Sequence, residues 1–424
     1  MDRLHTYEPT CKDFLGDFEI RREEEHRKMM REELAAELRR HDEMLFLEAS
    51  RICPKCEGKV YAHGKTNTLG YLAVCGEVHV RLGRLRCTSC GHIIVPGAAL
   101  IPENGISAPL AERMCDLASK ASYNKAADSL FIQQGIQMST KRFWGCVQEE
   151  ATLIKDVLAE EAHALFTDGT LPDAVDLKGE KPLIIGIDGG HVRGWQSNQG
   201  FEIEIKCATI ATGSAPGPGK QRHLKNRVGY AAQCSVDDFR RRISVLAIKS
   251  GFLTASAVIF VSDGAPWITK MIADYFPDAI HVLDLYHLKH KVEMLFGIKT
   301  EGMCADIRDA ALAACNTFDP DLIAGIIQTF GPTDDSKAAQ KADLIAYINN
   351  NAKAIQNHRL VNIHGSGWIE KGVDLMVSRR MKNRGMAWTE LGSAHMVPFA
   401  VLRYNRQWDE YWAQRKGLPA KLAA

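Results

Sequence analysis

The sequence predicts an α/β protein of several domains, in which a mixed sheet covered by helices forms the largest domain. The chain has 424 residues and 46% hydrophobic content, which at roughly 150 residues per domain suggests about three cores. From Lys181 onwards, apolar strands alternate with amphipathic helices. Before that point, two Cys-x-x-Cys pairs and a series of short helices predict smaller modules.

The composition excludes several classes of protein. Residues 1–10 lack the basic start and apolar core of a signal peptide, and apolar runs such as PLIIGI are too short to span a bilayer. We therefore expect a cytoplasmic protein, whose 12 cysteines serve metal binding and core packing rather than disulfides. The net charge of +1 neither requires nor excludes a polyanionic partner, so any argument for nucleic acid depends on local clusters of charge.

The first fifty residues predict a charged helical segment. Residues 17–49 are rich in helix formers of mixed charge, with a partial apolar stripe at Met30, Leu34 and Leu38. The stripe is not a sustained heptad repeat, so a helix that packs on its own chain is favoured over a coiled-coil dimerisation element. We assign residues 1–50 to this segment.

Two cysteine pairs predict a structural zinc site in a ribbon-like module of residues 51–105. The pairs are Cys53 and Cys56 in CPKC, and Cys87 and Cys90 in CTSC. A two-residue spacer lets backbone amides point at the sulfurs while both thiolates reach one tetrahedral Zn²⁺. The interval between the pairs is longer than the commonest zinc-ribbon spacing, which leaves open that they share no metal or that another residue replaces one ligand. The alternative ligands are Cys75, His63 and His92.

Residues 106–178 predict consecutive short helices that include a helix-turn-helix. A first helix precedes a turn at Gly135, and Ser139 opens a second helix. The residues that this second helix would expose near its N-terminus are Thr140, Lys141 and Arg142. In such a module that end of the helix meets the major groove of DNA. A plain helical hairpin is the alternative for this segment alone.

Residues 179–298 predict the sheet, with elements in the order β-β-β-α-β-α-β-α. The first strand, PLIIGIDGG, carries Asp188, and the fourth, VIFVS, ends immediately before Asp263. This order is found in RNase H-like nucleases, where the first and fourth strands are neighbours in a mixed sheet, so the two carboxylates are expected to approach each other. With a third carboxylate they would hold two Mg²⁺ ions about 3.5–4 Å apart for a phosphoryl displacement. Asp263-Gly264 is also ordinary turn chemistry, which is the alternative for this dipeptide alone.

The third carboxylate is expected from a helix that follows a helical insertion at residues 299–358. Our candidate is Glu370, in the C-terminal segment 359–424, because the Gly365–Gly367 turn lets the backbone approach the sheet edge. The competing candidates are Asp374 and Glu390. An acidic residue in the first turn of a helix is also favoured by the helix dipole, which gives Glu370 a purely structural explanation as well.

Four segments carry a family resemblance: VSDGAPWITKMIADYFPDAIHVLDLYH, IDGGHV, GSGWIE and RMKNRGMAWTELGS. Together they resemble the DDE transposases of bacterial insertion sequences, in particular the Kra-type group related to the Mutator-like superfamily. The resemblance extends from the cysteine pairs to the C-terminus. It implies an RNase H-like catalytic domain with a helical insertion, in which Asp188, Asp263 and Glu370 form the triad that binds Mg²⁺ or Mn²⁺. The C/D-x-x-H signature of the family matches Asp284 and His287, which we expect to support the triad rather than to catalyse.

Two basic clusters flank the predicted triad. The cluster between the second and third strands comprises Lys220, Arg222, Lys225 and Arg227, and the cluster after Glu370 comprises Arg379, Arg380, Lys382 and Arg384. A solvated surface explains either cluster alone. Two clusters beside one triad indicate contacts with DNA phosphates.

The sequence therefore predicts an insertion-sequence transposase that binds terminal inverted repeats, cuts DNA and joins the 3′-OH end to target DNA. The expected partners are double-stranded transposon ends and target DNA, with a homodimer or higher oligomer on the DNA and a location at the nucleoid. One alternative is an RNase H-like nuclease or resolvase that cuts without joining, which the recognition modules disfavour. The other is a non-catalytic DNA-binding regulator, which the intact set of carboxylates disfavours.

Overall fold

The computed structural model describes residues 11–216, 222–332, 335–361, 367–382 and 385–418. The chain forms two compact units, one of residues 1–150 with 409–424 and one of residues 151–408. Within the described ranges, no helix is both long enough and apolar enough to cross a membrane.

The first unit begins with a long helix and a small β module. Its elements are α1 (Cys11–Glu48), β1 (Val60–Lys65), β2 (Leu69–Ala73), β3 (Gly76–Val80), β4 (Gly83–Cys87), β5 (Ile93–Ile94) and a 3₁₀ helix (Pro96–Leu100). The predicted charged helix is confirmed, and its Ala35, Leu34 and Leu38 pack on β2 and β3 in one apolar cluster. Because this stripe covers the small module, the helix supplies core that the module lacks.

Helices α2 (Ala108–Lys120), α3 (Tyr123–Gln134) and α4 (Thr140–Phe166) follow the β module. The predicted turn is confirmed: Gly135 ends α3 in the left-handed conformation at φ 65°. Ser139 precedes α4 and accepts a hydrogen bond from the Arg142 amide, as an N-cap does. Buried Leu130 and Phe143 show that the two helices turn apolar residues inwards.

The second unit contains a sheet of five strands in the order β10-β7-β6-β11-β12. These strands are β6 (Leu183–Gln196), β7 (Gln199–Ala211), β10 (Val228–Ala232), β11 (Val258–Ser262) and β12 (Ile280–Leu283), while β8 (Ser214–Pro216) and β9 (Arg222–Leu224) form a separate hairpin. Strand β7 is antiparallel to β6 and β10, and β11 is parallel to β6 and β12. The first and fourth strands of the predicted sheet, β6 and β11, are therefore neighbours, as expected.

Helices surround this sheet. They are α5 (Val236–Lys249), α6 (Pro266–Tyr275), α7 (Leu285–Phe296), α8 (Met303–Cys315), α9 (Pro320–Phe330), α10 (Asp335–Asn350), α11 (Ala352–Gln356), α12 (Gly367–Val373), α13 (Arg379–Met381) and α14 (Glu390–Tyr404). A further helix, α15 (Trp408–Arg415), lies almost entirely in the first unit. Short 3₁₀ helices lie at Phe252–Thr254 and Asn357–Leu360, and a π-helical turn at Asp374–Ser378 joins α12 to α13. The described residues of the stretch 303–360 form helices joined by short turns, with no strand among them, as predicted for the insertion.

The two faces of the sheet pack on different helices because side chains alternate along β6. Leu183, Ile185 and Ile187 lie in an apolar core with residues of α5 and α6. On the opposite face, Ile184 packs with Ile369 of α12. Even-numbered positions of β6, which include Asp188, therefore face the side of the sheet that α12 covers.

The last helix closes the first unit. Arg415 of α15 donates from Nη2 and Nε to the Glu150 carboxylate at 2.6 and 3.0 Å, and Tyr411 donates its hydroxyl to the same carboxylate at 3.1 Å. Glu150 is 1% exposed, so its charge is compensated within the protein rather than by water. The C-terminal helix thus belongs to the same compact unit as the helices around Gly135.

Candidate active site and metal centre

The four cysteines of the two pairs converge on one point in the first unit. Strands β1 and β4 are antiparallel with Val60 opposite Cys87, so the turn before β1 and the turn after β4 lie at the same end. The sulfurs of Cys53 and Cys90 are 3.7 Å apart, and those of Cys56 and Cys87 are 3.5 Å apart. All four sulfurs lie within 4.8 Å of one another. A tetrahedral ion with Zn–S bonds of about 2.3 Å requires sulfurs about 3.8 Å apart, so the cluster fits Zn²⁺.

Backbone amides stabilise the thiolates of this cluster. The amide of Lys55 donates to Cys53 Sγ at 3.4 Å, and the amides of Ser89 and Cys90 donate to Cys87 Sγ at 3.4 and 3.5 Å. The Cys90 amide is the largest cause that lowers the pKa of the Cys87 thiol to about 6. The predicted four-cysteine cluster is therefore confirmed, and Cys75 is not part of it.

Three aspartates lie side by side at one level of adjacent parallel strands in the second unit: Asp188 lies within β6, while Asp263 and Asp284 directly follow β11 and β12. Ser262 pairs with Ile187 in β6 and with Leu283 in β12. The next residue on each strand is an aspartate, namely Asp188, Asp263 and Asp284. The strand register therefore places the first and second predicted triad residues side by side, with Asp284 on the far side of Asp263.

Asp188 is a partly buried carboxylate at the β6 end of this row. Its Oδ1 accepts a hydrogen bond from the Gly189 amide at 2.7 Å. Burial raises its pKa, and the negative charges of Asp263 and Asp284 act in the same direction, while His287 opposes them. A group whose charge is disfavoured by burial and by like charges is well suited to a cation.

Asp284 and His287 form a hydrogen-bonded pair beside the row. Asp284 is 3% exposed, accepts from the Tyr286 amide at 2.9 Å, and lies 2.9 Å from Nδ1 of His287. The hydrogen bond to Asp284 is the largest cause that raises the pKa of the His287 imidazole. Asp284 thus caps α7 and orients a histidine whose charge acts on Asp188 and Asp263.

Helix α12 lies over β6 on the face to which Asp188 belongs. A Cβ on Gly186 would lie 2.4 Å from the Trp368 ring, and a Cβ on Gly190 would lie 3.3 Å from Val373. Glycine is therefore needed at Gly186 for this approach. The two glycines flank Asp188 in the sequence, so α12, which carries Glu370, crosses the strand next to Asp188.

Glu370 is exposed on α12, beside buried Ile369. Its competitor Asp374 instead pairs with Lys371 at 2.7 Å and with Arg379 at 3.0 Å, and the Lys371 hydrogen bond is the main cause of its lowered pKa. The other competitor, Glu390, lies exposed in the first turn of α14. The Gly365 and Ser366 positions of the predicted turn lie outside the described residues.

Spacing distinguishes the carboxylates from the cysteines. Among the described residues, one group of at least three His, Cys, Asp or Glu side chains is arranged to hold a metal ion, and it consists of the four cysteines. Their sulfurs all lie within 4.8 Å of one another. The carboxylates of Asp188, Asp263 and Glu370 do not reach this spacing in the structure. The strand register brings Asp188 and Asp263 together. Glu370 is on a helix that packs on the same face of the sheet as Asp188.

The residues predicted to bind DNA differ in exposure. Thr140, Lys141 and Arg142 are exposed in the first turn of α4, where Arg142 donates to the Gly105 carbonyl at 3.3 Å. Lys225, Arg227, Arg379 and Lys382 are also exposed. Arg380, by contrast, is buried with its guanidinium 4.7 Å from the centre of the Trp388 ring. Lys220 and Arg384 lie outside the described residues, as does the side chain of Arg222.

Sequence reasoning missed the residues that surround the turn at Asp263. Tyr347 of α10 donates its hydroxyl to the Asp263 carbonyl at 2.6 Å. Ser262 Oγ lies 2.9 Å from Nε2 of His281 and accepts from the Gly264 amide at 3.2 Å. The contacts of Tyr347 and His281 have no local pattern in the sequence, because each joins residues from different elements.

Comparison with known proteins identifies the family. Residues 102–414 match the model of the uncharacterised protein family UPF0236. The chain belongs to this family. The match covers the helices from α2 to α14, the five-stranded sheet and all three aspartates of the row, whereas the four-cysteine cluster precedes it. No curated protein matches this UPF0236 member.

Among solved structures, this UPF0236 member is similar to the Drosophila P element transposase strand transfer complex. The sequence identity is 12%, and the alignment covers 72% of this chain and 80% of the other. The TM-score is 0.23.

Proposed function

We propose that this UPF0236 member is a metal-dependent DNA transposase of the DDE type, from an insertion sequence of the Kra-type group. The observation that carries the proposal is the placement of Asp188 and Asp263 at register-adjacent positions on neighbouring parallel strands. Helix α12, with Glu370, packs on the same face of the sheet. The sequence resemblance to DDE transposases assigns the triad to these same three residues.

The proposed catalytic domain is RNase H-like. The strand order, with the first three strands antiparallel and the next two parallel to the first, supports this assignment. In the proposed organisation, residues 179–298 and 359–408 form the catalytic domain, and residues 299–358 form its helical insertion. The sequence assigned residues 409–424 to this domain as well, but they belong to the first compact unit. Residues 51–105 and 106–178 supply the zinc and helix-turn-helix modules, preceded by the charged helix.

The carboxylates fit a divalent cation. Burial and the charges of Asp263 and Asp284 disfavour the ionised form of Asp188, and a cation relieves both effects. Carboxylate oxygens are the ligands that Mg²⁺ prefers, and Mn²⁺ accepts the same donors. Two Mg²⁺ ions held by Asp188, Asp263 and Glu370 would activate the attacking oxygen and stabilise charge on the leaving oxygen.

Backbone amides and a histidine of this chain support the two aspartate carboxylates. The Gly189 amide orients the Asp188 carboxylate, and the Ala265 amide orients that of Asp263 at 3.0 Å. His287, held by Asp284, adds positive charge beside the two carboxylates, where phosphate oxygens would lie. In the first step water attacks a phosphodiester and a 3′-OH leaves. In the second, that 3′-OH attacks a target phosphodiester and releases the 3′ oxygen of the target strand.

DNA recognition is assigned to the other modules. The exposed first turn of α4 would enter the major groove, and the exposed basic residues Lys225, Arg227, Arg379 and Lys382 would contact phosphates. Arg380 is a weaker candidate because its guanidinium is buried against Trp388. Two DNA ends are cut in one transposition event, so a homodimer or higher oligomer on DNA is part of the proposal.

The test is a reaction with DNA that carries the inverted repeats found beside the gene. The zinc-loaded full chain should bind these ends, cleave them in Mg²⁺ or Mn²⁺, and join the 3′ ends to a target plasmid. Joined products on a gel support the transposase. Cleavage without joining would indicate a nuclease or resolvase, and specific binding without cleavage would indicate a regulator.

His287→Ala should slow cleavage by about 10- to 100-fold without abolishing it, because a residue that orients a site affects rate less than a ligand does. His290→Ala is the matched control, since His290 lies one turn further along the exposed side of α7. Single-turnover cleavage rates at saturating DNA measure both variants. A folded His287→Ala protein as inactive as Asp263→Asn would assign His287 a direct role.

A further inference from the structure

The turn that carries Asp263 is held by side chains from the helical segment 303–360. Tyr347 Oη donates to the Asp263 carbonyl at 2.6 Å, across 84 positions of the sequence. The carbonyl lies just beyond the last strand pair of β11, Ser262 with Leu283, so no strand hydrogen bond fixes it. The tyrosine hydroxyl therefore supplies the partner that the sheet does not.

The same turn leaves no room for a side chain at Gly264. Gly264 has φ 78°, and a Cβ there would lie 2.5 Å from Oδ1 of Asn351. Asn351 is 5% exposed and donates from Nδ2 to the Tyr347 carbonyl at 2.9 Å. One buried asparagine thus packs against the turn and secures the end of the helix that carries Tyr347.

Two further donors from this segment bind the neighbouring strand. Asn357 Nδ2 donates to the His281 carbonyl at 2.8 Å, and His358 Nε2 donates to the Leu283 carbonyl at 2.6 Å. Leu283 directly precedes Asp284. Three side chains of this helical segment therefore bind backbone carbonyls near the carboxyl ends of β11 and β12. Two of these carbonyls belong to Asp263 itself and to Leu283, the residue before Asp284.

We infer that Tyr347 is a positioning residue for Asp263, and that the helical segment 303–360 braces the strand ends that carry the carboxylates. The inference rests on the proposed function, since it assigns the metal-binding role to Asp263. Tyr347 fixes the carbonyl of Asp263, and the Ala265 amide fixes Oδ1 of its carboxylate. Because the carbonyl and Oδ1 of Asp263 are both held, the position of Oδ2 is fixed as well. Displacements of about 1 Å strongly affect sites of this kind.

The phenol suits this role because it remains a neutral donor. A tyrosine hydroxyl donates one hydrogen bond and carries no charge near neutral pH. A cationic donor at this position would also compete with a metal ion for the carboxylate itself. Tyrosine binds the carbonyl without that competition.

The test compares Tyr347→Phe with wild type, by Mn²⁺ binding to the zinc-loaded full chain followed by electron paramagnetic resonance. We expect binding about tenfold weaker, which corresponds to ~1.4 kcal/mol, and an equal rise in the Mn²⁺ concentration for half-maximal cleavage. Affinity for the DNA ends should not change. Tyr404→Phe is the matched control, because it also removes one tyrosine hydroxyl. That hydroxyl lies 3.3 Å from Thr209 Oγ1, so it contacts a side chain rather than the carbonyl of Asp263.

The outcomes separate the inference from the function on which it rests. Wild-type Mn²⁺ affinity in a folded Tyr347→Phe protein would overturn the positioning role and leave the transposase proposal intact. The proposed function would be refuted if the wild type bound no Mn²⁺, or if the Asp263→Asn protein bound it equally well. The positioning role would fail with it. Equal weakening in Tyr404→Phe would indicate a general loss of stability and would also overturn the inference.

Discussion

Asp188→Asn and Asp263→Asn should each abolish DNA cleavage and joining, with rates lowered by roughly three orders of magnitude or more. Both substitutions keep the volume of the side chain and remove one negative charge. The two residues occupy adjacent register positions on parallel strands, so neither can be replaced by a neighbour at the same place. Glu370→Gln should have the same effect if α12 supplies the third ligand.

The stability of these variants should behave differently from their activity. Burial and the nearby charges of Asp263 and Asp284 raise the pKa of Asp188, so the ionised cluster is repulsive when no cation is bound. Removing one charge should leave the melting temperature in EDTA unchanged or raised. DNA binding should persist, because the first turn of α4 and the exposed basic residues are unaltered.

Two controls test the choice of the third ligand. Asp374→Asn should remain active, since its carboxylate already pairs with Lys371 and Arg379. Glu390→Gln should also remain active. End binding, cleavage and strand transfer in Mg²⁺ are measured for all five variants. An active Glu370→Gln protein beside an inactive control would move the third ligand to the control position, and full activity in either aspartate variant would refute the mechanism.

Local patterns in the sequence predicted the elements well. The strand VIFVS has the expected bounds, because a continuous apolar run is a local signal. The four-cysteine cluster was predictable for the same reason, since each pair forms its own turn. The adjacency of Asp188 and Asp263 followed from the order of the strands.

Contacts between distant elements were not predictable. Arg380 was assigned to a basic cluster by its neighbours in the sequence, but its guanidinium lies buried over the ring of Trp388. The charge pattern cannot reveal this, because the two residues meet only after the chain turns between α13 and α14. Tyr347 likewise occupies an ordinary helical position, and only the folded chain brings its hydroxyl to Asp263.

The row of aspartates shows how register adds information to a motif. The sequence assigned Asp284 to a signature with His287, without placing it relative to the triad. The pairing of Leu283 with Ser262 places Asp284 directly beside Asp263. Its burial and its two hydrogen bonds explain why it is better suited to orient His287 than to bind a solvated ion.

Cys53→Ser and Cys87→Ser should each release about one Zn²⁺ per chain and loosen the part of the small β module that carries the cysteine turns, while the sheet of the second unit stays folded. The module has few buried apolar residues around its two cysteine turns, namely Cys53, Val60, Leu85 and Cys87. In zinc-finger peptides the ion contributes about 10–16 kcal/mol to folding, which a core of this size cannot replace. Cys87→Ser also removes the thiolate to which the Cys90 amide donates, and Cys53→Ser removes the one to which the Lys55 amide donates.

Metal analysis and hydrogen exchange measure the two effects of losing a cysteine ligand. Amides of β1 and β4 should lose protection in both variants, while amides of β6 and β11 should keep it, because those strands belong to a separate compact unit. Cys75→Ser is the matched control: Cys75 is buried in the same module, but its sulfur is outside the cluster, so zinc should be retained. Full zinc retention in the Cys53 and Cys87 variants would refute the four-cysteine site, and zinc loss in Cys75→Ser would assign that residue as a ligand.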